Sequence, residues 1–167
     1  MKHKKPISLL IGCIVVLSVF ASLVGIFSNA GSGVYEIESF RGETIEIYGR
    51  GLYSYDSVSL ASQGIAQDIV TIVLGVPLLV ISLFFALRGS LKGRLLLTGT
   101  LGYFLYTYIS YVFLWMYNPM FIVYVILMSA SFFSFILLMM SFNINNLDSA
   151  FSKKLPVKFL GGFQIFF

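Results

Sequence analysis

The chain has 167 residues, of which 58% are hydrophobic, 17% aromatic and 11% charged, with a formal net charge of +4. A mean hydropathy of +0.93 and a charged fraction under half the roughly 25% usual for soluble domains exclude an ordinary water-soluble globule and predict a single integral membrane domain. The basic residues sit in short clusters beside apolar runs, as orientation signals do, so no nucleic-acid partner is expected. One cysteine, Cys13, and one histidine, His3, exclude an internal disulfide, a thiolate cluster and histidine-based metal or triad chemistry.

The N-terminus carries Lys2, Lys4 and Lys5 and leads into an apolar run from Ile7 to Phe27. Ser28-Asn29-Ala30 offers small residues at the spacing that a signal peptidase reads, so a cleaved leader is one reading. The run exceeds a signal core of about 7–15 residues and favours an uncleaved first span. Ser18, Ala21, Ser22 and Gly25 share one side and predict a helix-packing face.

Residues 28–66 form the sizeable polar region, rich in Glu36, Glu38, Glu43, Glu46 and Asp56, and are placed outside the cytoplasm. Gly31-Ser32-Gly33 reads as a flexible exit. The alternation in Val34 to Glu38 and in Thr44 to Tyr48, around Arg41-Gly42, predicts a small extracytoplasmic β-hairpin. Asp56 and Ser57 then read as a helix N-cap before a short, mildly polar helix.

The second span is expected over 69–87, with Asp68, Thr71, Gly75 and Ser82 on one side and a kink at Pro77. Asp68, just ahead of the uncharged run, reads either as a solvated acid favoured by a helix N-terminus or as an ion or proton site; its rim position favours the former. Arg88, Lys92 and Arg94 form a basic connector without acids, which places that turn in the cytoplasm.

The third span is expected over 95–116. Gly99, Tyr103, Tyr106, Ser110 and Tyr117 share a side that should meet another helix or a polar cavity. Asn118-Pro119 makes a short outer turn, and the fourth span follows over 120–142, with Tyr124, Ser131 and Ser134 in a further polar seam. A cytoplasmic segment then leads to a short apolar stretch over 159–167. The expected fold class is therefore all-α membrane: a polytopic bundle of four transmembrane helices, an incomplete fifth apolar segment and a small extracytoplasmic hairpin.

The stretches Gly42 to Asp56, Gln67-Asp68, Leu74-Gly75-Val76-Pro77-Leu78, Arg88 to Arg94 and Leu101 to Tyr106 resemble a group of uncharacterised bacterial multi-pass membrane proteins, over roughly residues 35–145. The resemblance implies about two further spans beyond this chain and supplies no activity.

The candidate polar helix interface comprises Asp68, Thr71, Gly75, Ser82, Tyr103, Tyr106, Ser110, Ser131 and Ser134. No catalytic or metal-binding residue and no cofactor is expected, because there is neither a second histidine nor a buried acid to complete a constellation. The expected function is a non-enzymatic protein of the plasma membrane with a cytoplasmic N-terminus, acting as a subunit or assembly partner. Its partners would be the lipid bilayer, other membrane subunits or further copies of itself. A small transporter or channel component using the polar, tyrosine-lined interface is the alternative.

Overall fold

The computed structural model describes residues 3–142, together with Pro156, Phe159 and 161–163. Its helices are α1 (Lys4–Phe27), α2 (Val58–Val70), α3 (Val76–Leu87), α4 (Leu91–Phe113) and α5 (Phe121–Met139), with strands β1 (Tyr35–Glu38) and β2 (Thr44–Ile47) between α1 and α2. A π-turn over Thr71–Gly75 joins α2 to α3 in one helix, Val58–Leu87, so the described residues hold four helices long and apolar enough to cross a membrane. The short polar helix expected before the second span is the first part of that same helix.

The π-turn answers the expectation of a kink at Pro77. Proline removes a donor and crowds the preceding turn; here the ladder is already wide, with the Val76 N–H reaching back to the Thr71 carbonyl, and Pro77 opens α3 where its missing N–H is tolerated.

α1 packs on the α2–α3 helix and on α5, and α4 packs on α3 and α5, which arranges the helices as a ring. Large apolar side chains such as Phe84, Phe85, Phe132 and Phe133 lie outside, whereas Ser18, Ser22, Ser82, Ser131 and Ser134 are buried. Small residues inside let the helices approach closely. At the turn between α3 and α4, Gly93 lets the helices cross: a Cβ there would stand 2.6 Å from Phe85 Cβ and 2.8 Å from the Ala86 nitrogen. Ser90 caps α4 by accepting from Gly93 N–H at 3.2 Å.

The hairpin is antiparallel, with Tyr35 opposite Ile47 and Ile37 opposite Ile45. Gly33 N–H donates to Gly49 O (3.2 Å) and Ser39 N–H to Glu43 O (2.8 Å). Odd-numbered β1 residues therefore face β2, and the backbone groups of Val34, Glu36 and Glu38 face away along an edge unpaired among the described residues. Gly31-Ser32-Gly33 is not the flexible exit expected. Gly51 N–H donates to Ala30 O at 2.7 Å, Leu52 N–H donates to Ser28 Oγ at 2.7 Å, and a Cβ on Gly31 would collide with Gly49 O. Gly49, at φ 65°, is closed in the same way by Gly33 O. Two backbones pass at a distance only glycine permits, which anchors the hairpin on the bundle.

Ser57 is the N-cap of α2, accepting from Leu60 N–H at 3.3 Å. Asp56 turns the other way: it is 1% exposed and accepts from Met116 N–H at 3.0 Å, tying the loop to the α4–α5 connection. Of the partial fifth segment, Phe159 and 161–163 are helical, and its remaining residues lie outside the described ones.

Candidate functional site: a buried carboxylate among tyrosines

Asp68 is 1% exposed, which corrects the expectation of a solvated acid at a helix N-terminus. The helix begins at Val58, so Asp68 is its eleventh residue, about 15 Å past the N-terminal amides and beyond the reach of first-turn dipole stabilisation. It does lie near one end of the bundle. Gly25 and Tyr111 are within the last turn of α1 and α4, and Tyr124 is in the first turn of α5. The acid is dry because the loop closes over it: the 3₁₀ turn Gly51–Tyr53 buries Leu52 and Tyr53 against the bundle.

The carboxylate is held from several elements. Tyr53 Oη donates to Oδ2 at 2.6 Å and Tyr111 Oη to Oδ1 at 3.2 Å, while Ser22 of α1 faces the same group. Tyr111 Oη also lies 3.0 Å from the Gly64 carbonyl. A phenol has one proton, so two complete arrangements exist. With Asp68 ionised, both tyrosines donate to it. With Asp68 protonated on Oδ1, it donates to Tyr111, whose own hydroxyl then donates a hydrogen bond to Gly64 O. Burial, with Tyr111 beside it, raises the Tyr53 phenol far above its ordinary range and keeps it a donor.

Two glycines make room. A Cβ on Gly25 would fall on Asp68 Oδ2, and one on Gly64 would stand 3.0 Å from both Tyr53 Cζ and Trp115 Nε1. Around them the rings interlock: Tyr111 to Trp115 and Tyr111 to Tyr124 are each 4.9 Å between centroids, and Tyr108 stacks on Tyr124 at 6.1 Å.

A second polar group lies one turn along. Gln67 Nε2 donates to Tyr103 Oη (2.6 Å) and to Thr107 Oγ1 (3.2 Å), and Thr71 Oγ1 is 3.0 Å from the same Tyr103 hydroxyl. Gly75 passes beneath the Tyr103 ring, where a Cβ would be 3.0 Å from Cε1. The structure thus brings Thr71, Gly75 and Tyr103 together beside Asp68. Ser82 is buried further along and donates within its own turn, to Leu79 O at 3.0 Å. Ser131 and Ser134 are fully buried in α5, with no hydrogen-bond partner for either hydroxyl among the described residues.

Of the α4 side expected to meet another helix or a polar cavity, Gly99, Tyr103, Tyr106 and Ser110 line an open groove against the α2–α3 helix, whereas Tyr117 is exposed. Tyr106 and Tyr117 are 74% and 73% exposed, Gly99 has nothing near its Cβ position, and Ser110 is half-buried and donates to Tyr106 O. The fully buried face is Leu97, Leu101, Phe104, Tyr108 and Tyr111, which at about 100° per residue lies about 150° around the helix from the expected one. Grouping by polarity missed Tyr108 and Tyr111, and bulk on every side of α4 gives no face of its own. Tyr53 carried no periodic signal, because only the loop's fold brings it to Asp68. Asp56 and Asp68 also show that buried acids exist, contrary to the sequence reading. No family model, curated protein or solved structure matches the chain.

Proposed function

We propose that this chain is a non-enzymatic multi-pass protein of a bacterial plasma membrane that serves as a subunit or assembly partner, with the hairpin as its contact element. One observation carries the reading: among the described residues β1 keeps a free edge and Phe40 at the tip is 94% exposed, on a hairpin anchored by interlocked glycine backbones. Unpaired strand edges are templates for another chain. The charges support an orientation with the N-terminus in the cytoplasm. Lys4 Nζ reaches the Leu87 carbonyl at 3.4 Å, so the basic N-terminus and the Arg88 to Arg94 turn share one end, and the acidic hairpin belongs to the loop at the other.

The test replaces Phe40 with a photo-crosslinking amino acid in intact cells. A discrete adduct, to another membrane protein or a second copy, that is lost when Glu36→Pro blocks the free edge is expected. Protein at normal abundance with no adduct overturns the reading.

A second reading, a small transporter or channel component, is favoured by the burial of Asp68 and its two complete hydrogen-bond arrangements. Proton or cation flux in liposomes that Asp68→Asn abolishes, with normal insertion, would decide for it.

A further inference from the structure

The groove between the α2–α3 helix and α4 has two compartments in series. The one toward the hairpin, about 240 Å³, is lined by Gln63, Gln67, Tyr106, Thr107 and Ser110 among others. The one toward the basic turn, about 450 Å³, is almost wholly apolar, with Leu74, Leu78, Leu95 and Leu96 on its walls and Gly99 at an open stretch. The Gln67–Tyr103–Thr71 hydrogen bonds cross the groove between them. Among the described residues no charged side chain lines either compartment.

We propose that this groove binds one neutral glycerolipid, its hydroxyl-bearing head in the polar compartment and an acyl chain in the apolar one. This rests on the membrane reading above and goes beyond it. Three observations select the occupant. The polar-to-apolar order runs from one end of the bundle inward, as a lipid's own does. From Gln63 to Leu78 the helix rises about 22 Å, close to half of a bilayer roughly 40–45 Å thick with its headgroups. The lining offers amide, hydroxyl and phenol groups but no cation, which suits an uncharged head better than a phosphate. A partner helix, about 10–12 Å wide, needs an unbroken face, whereas this groove is pinched at Tyr103.

The experiment uses the full chain in phosphatidylcholine nanodiscs, a diacylglycerol carrying a diazirine in its acyl chain, and peptide mapping of the photo-adduct. Adducts should concentrate in residues 70–78 and 95–103 and exceed those of the matching phosphatidylglycerol probe at least several-fold. Gly99→Leu, which fills open space, should remove most of that labelling, while Gly12→Leu, at an equally open position on α1, should leave it unchanged. Labelling spread evenly over the four helices, equal labelling by the anionic probe, persistence in Gly99→Leu, or a protein adduct from a crosslinker placed at Leu96 would each overturn the proposal. Release of the protein from membranes by an alkaline wash would instead defeat the membrane reading; retention with unmapped labelling defeats only the lipid site.

Discussion

Gly25 of α1 and Asp68 of α2 compete for one volume: the space a Cβ would occupy on the first is filled by the Oδ2 of the second. The absent side chain on α1 is therefore what lets a carboxylate sit between the helices. Gly25→Ala should destabilise the fold by about 1–3 kcal/mol, as overpacking of a tight interior does. Gly12→Ala, in open space on the same helix, should be neutral or slightly stabilising through helix propensity. Thermal unfolding in detergent separates the two, and the Gly25→Ala defect should shrink in an Asp68→Ala background, since neighbours in contact are not additive.

Substitutions at Asp68 should divide by hydrogen-bonding capacity and not by charge. Asparagine keeps an acceptor for Tyr53 and gains a donor for Tyr111, whose proton then goes to Gly64 O, so Asp68→Asn should cost under about 1 kcal/mol. Asp68→Leu takes away the acceptor 2.6 Å from Tyr53 Oη and leaves a buried phenol unpaired, which should cost about 1–3 kcal/mol. Equal losses in both variants, read as unfolding midpoints, would mean that the charge itself matters.

Asp56 gives a pH dependence of known sign. Burial raises its carboxyl above the ordinary range, and the bond from Met116 N–H offsets only part of this. A raised pKa in the folded state means that the folded protein binds the proton more tightly. Stability from this group is therefore fully present below the ordinary carboxylate value near 4 and is lost as pH rises through the raised value. Asp56→Asn retains an acceptor for Met116 N–H without the charge. Its melting temperature should gain on the wild type as pH is raised from about 4 to 8, and a difference independent of pH would count against this account.

The orientation has its own test. Reporter fusions after Asn145 should be cytoplasmic and fusions within 43–53 external, because Lys and Arg collect at the α3–α4 turn and acids on the hairpin. Reversed labelling of these two sites would invert the membrane orientation.

Much of the architecture is legible along the chain. Charge-free runs of helix-spanning length mark the four long helices, and the alternation from Val34 to Glu38 and from Thr44 to Tyr48 marks the hairpin, because both signals are local: run length and period depend only on neighbouring residues. The side chains on which helix α1 packs are legible for the same reason, since Ser18, Ala21, Ser22 and Gly25 are small and share a face, and all four are buried. Tertiary structure alone decided the environment of Asp68. Its place near a bundle end follows from its position in the run, but its dryness depends on Tyr53, fifteen residues away across a turn, and on Tyr111 in another helix. The rotation of α4 was also decided there. Polarity proposed Tyr106 and Tyr117 for a helix contact or polar cavity, whereas packing against α3 and α5 buried Tyr108 and Tyr111 and left the other two largely exposed, because bulky residues lie on every side of α4 and so bulk gives no sequence signal for which face turns inward.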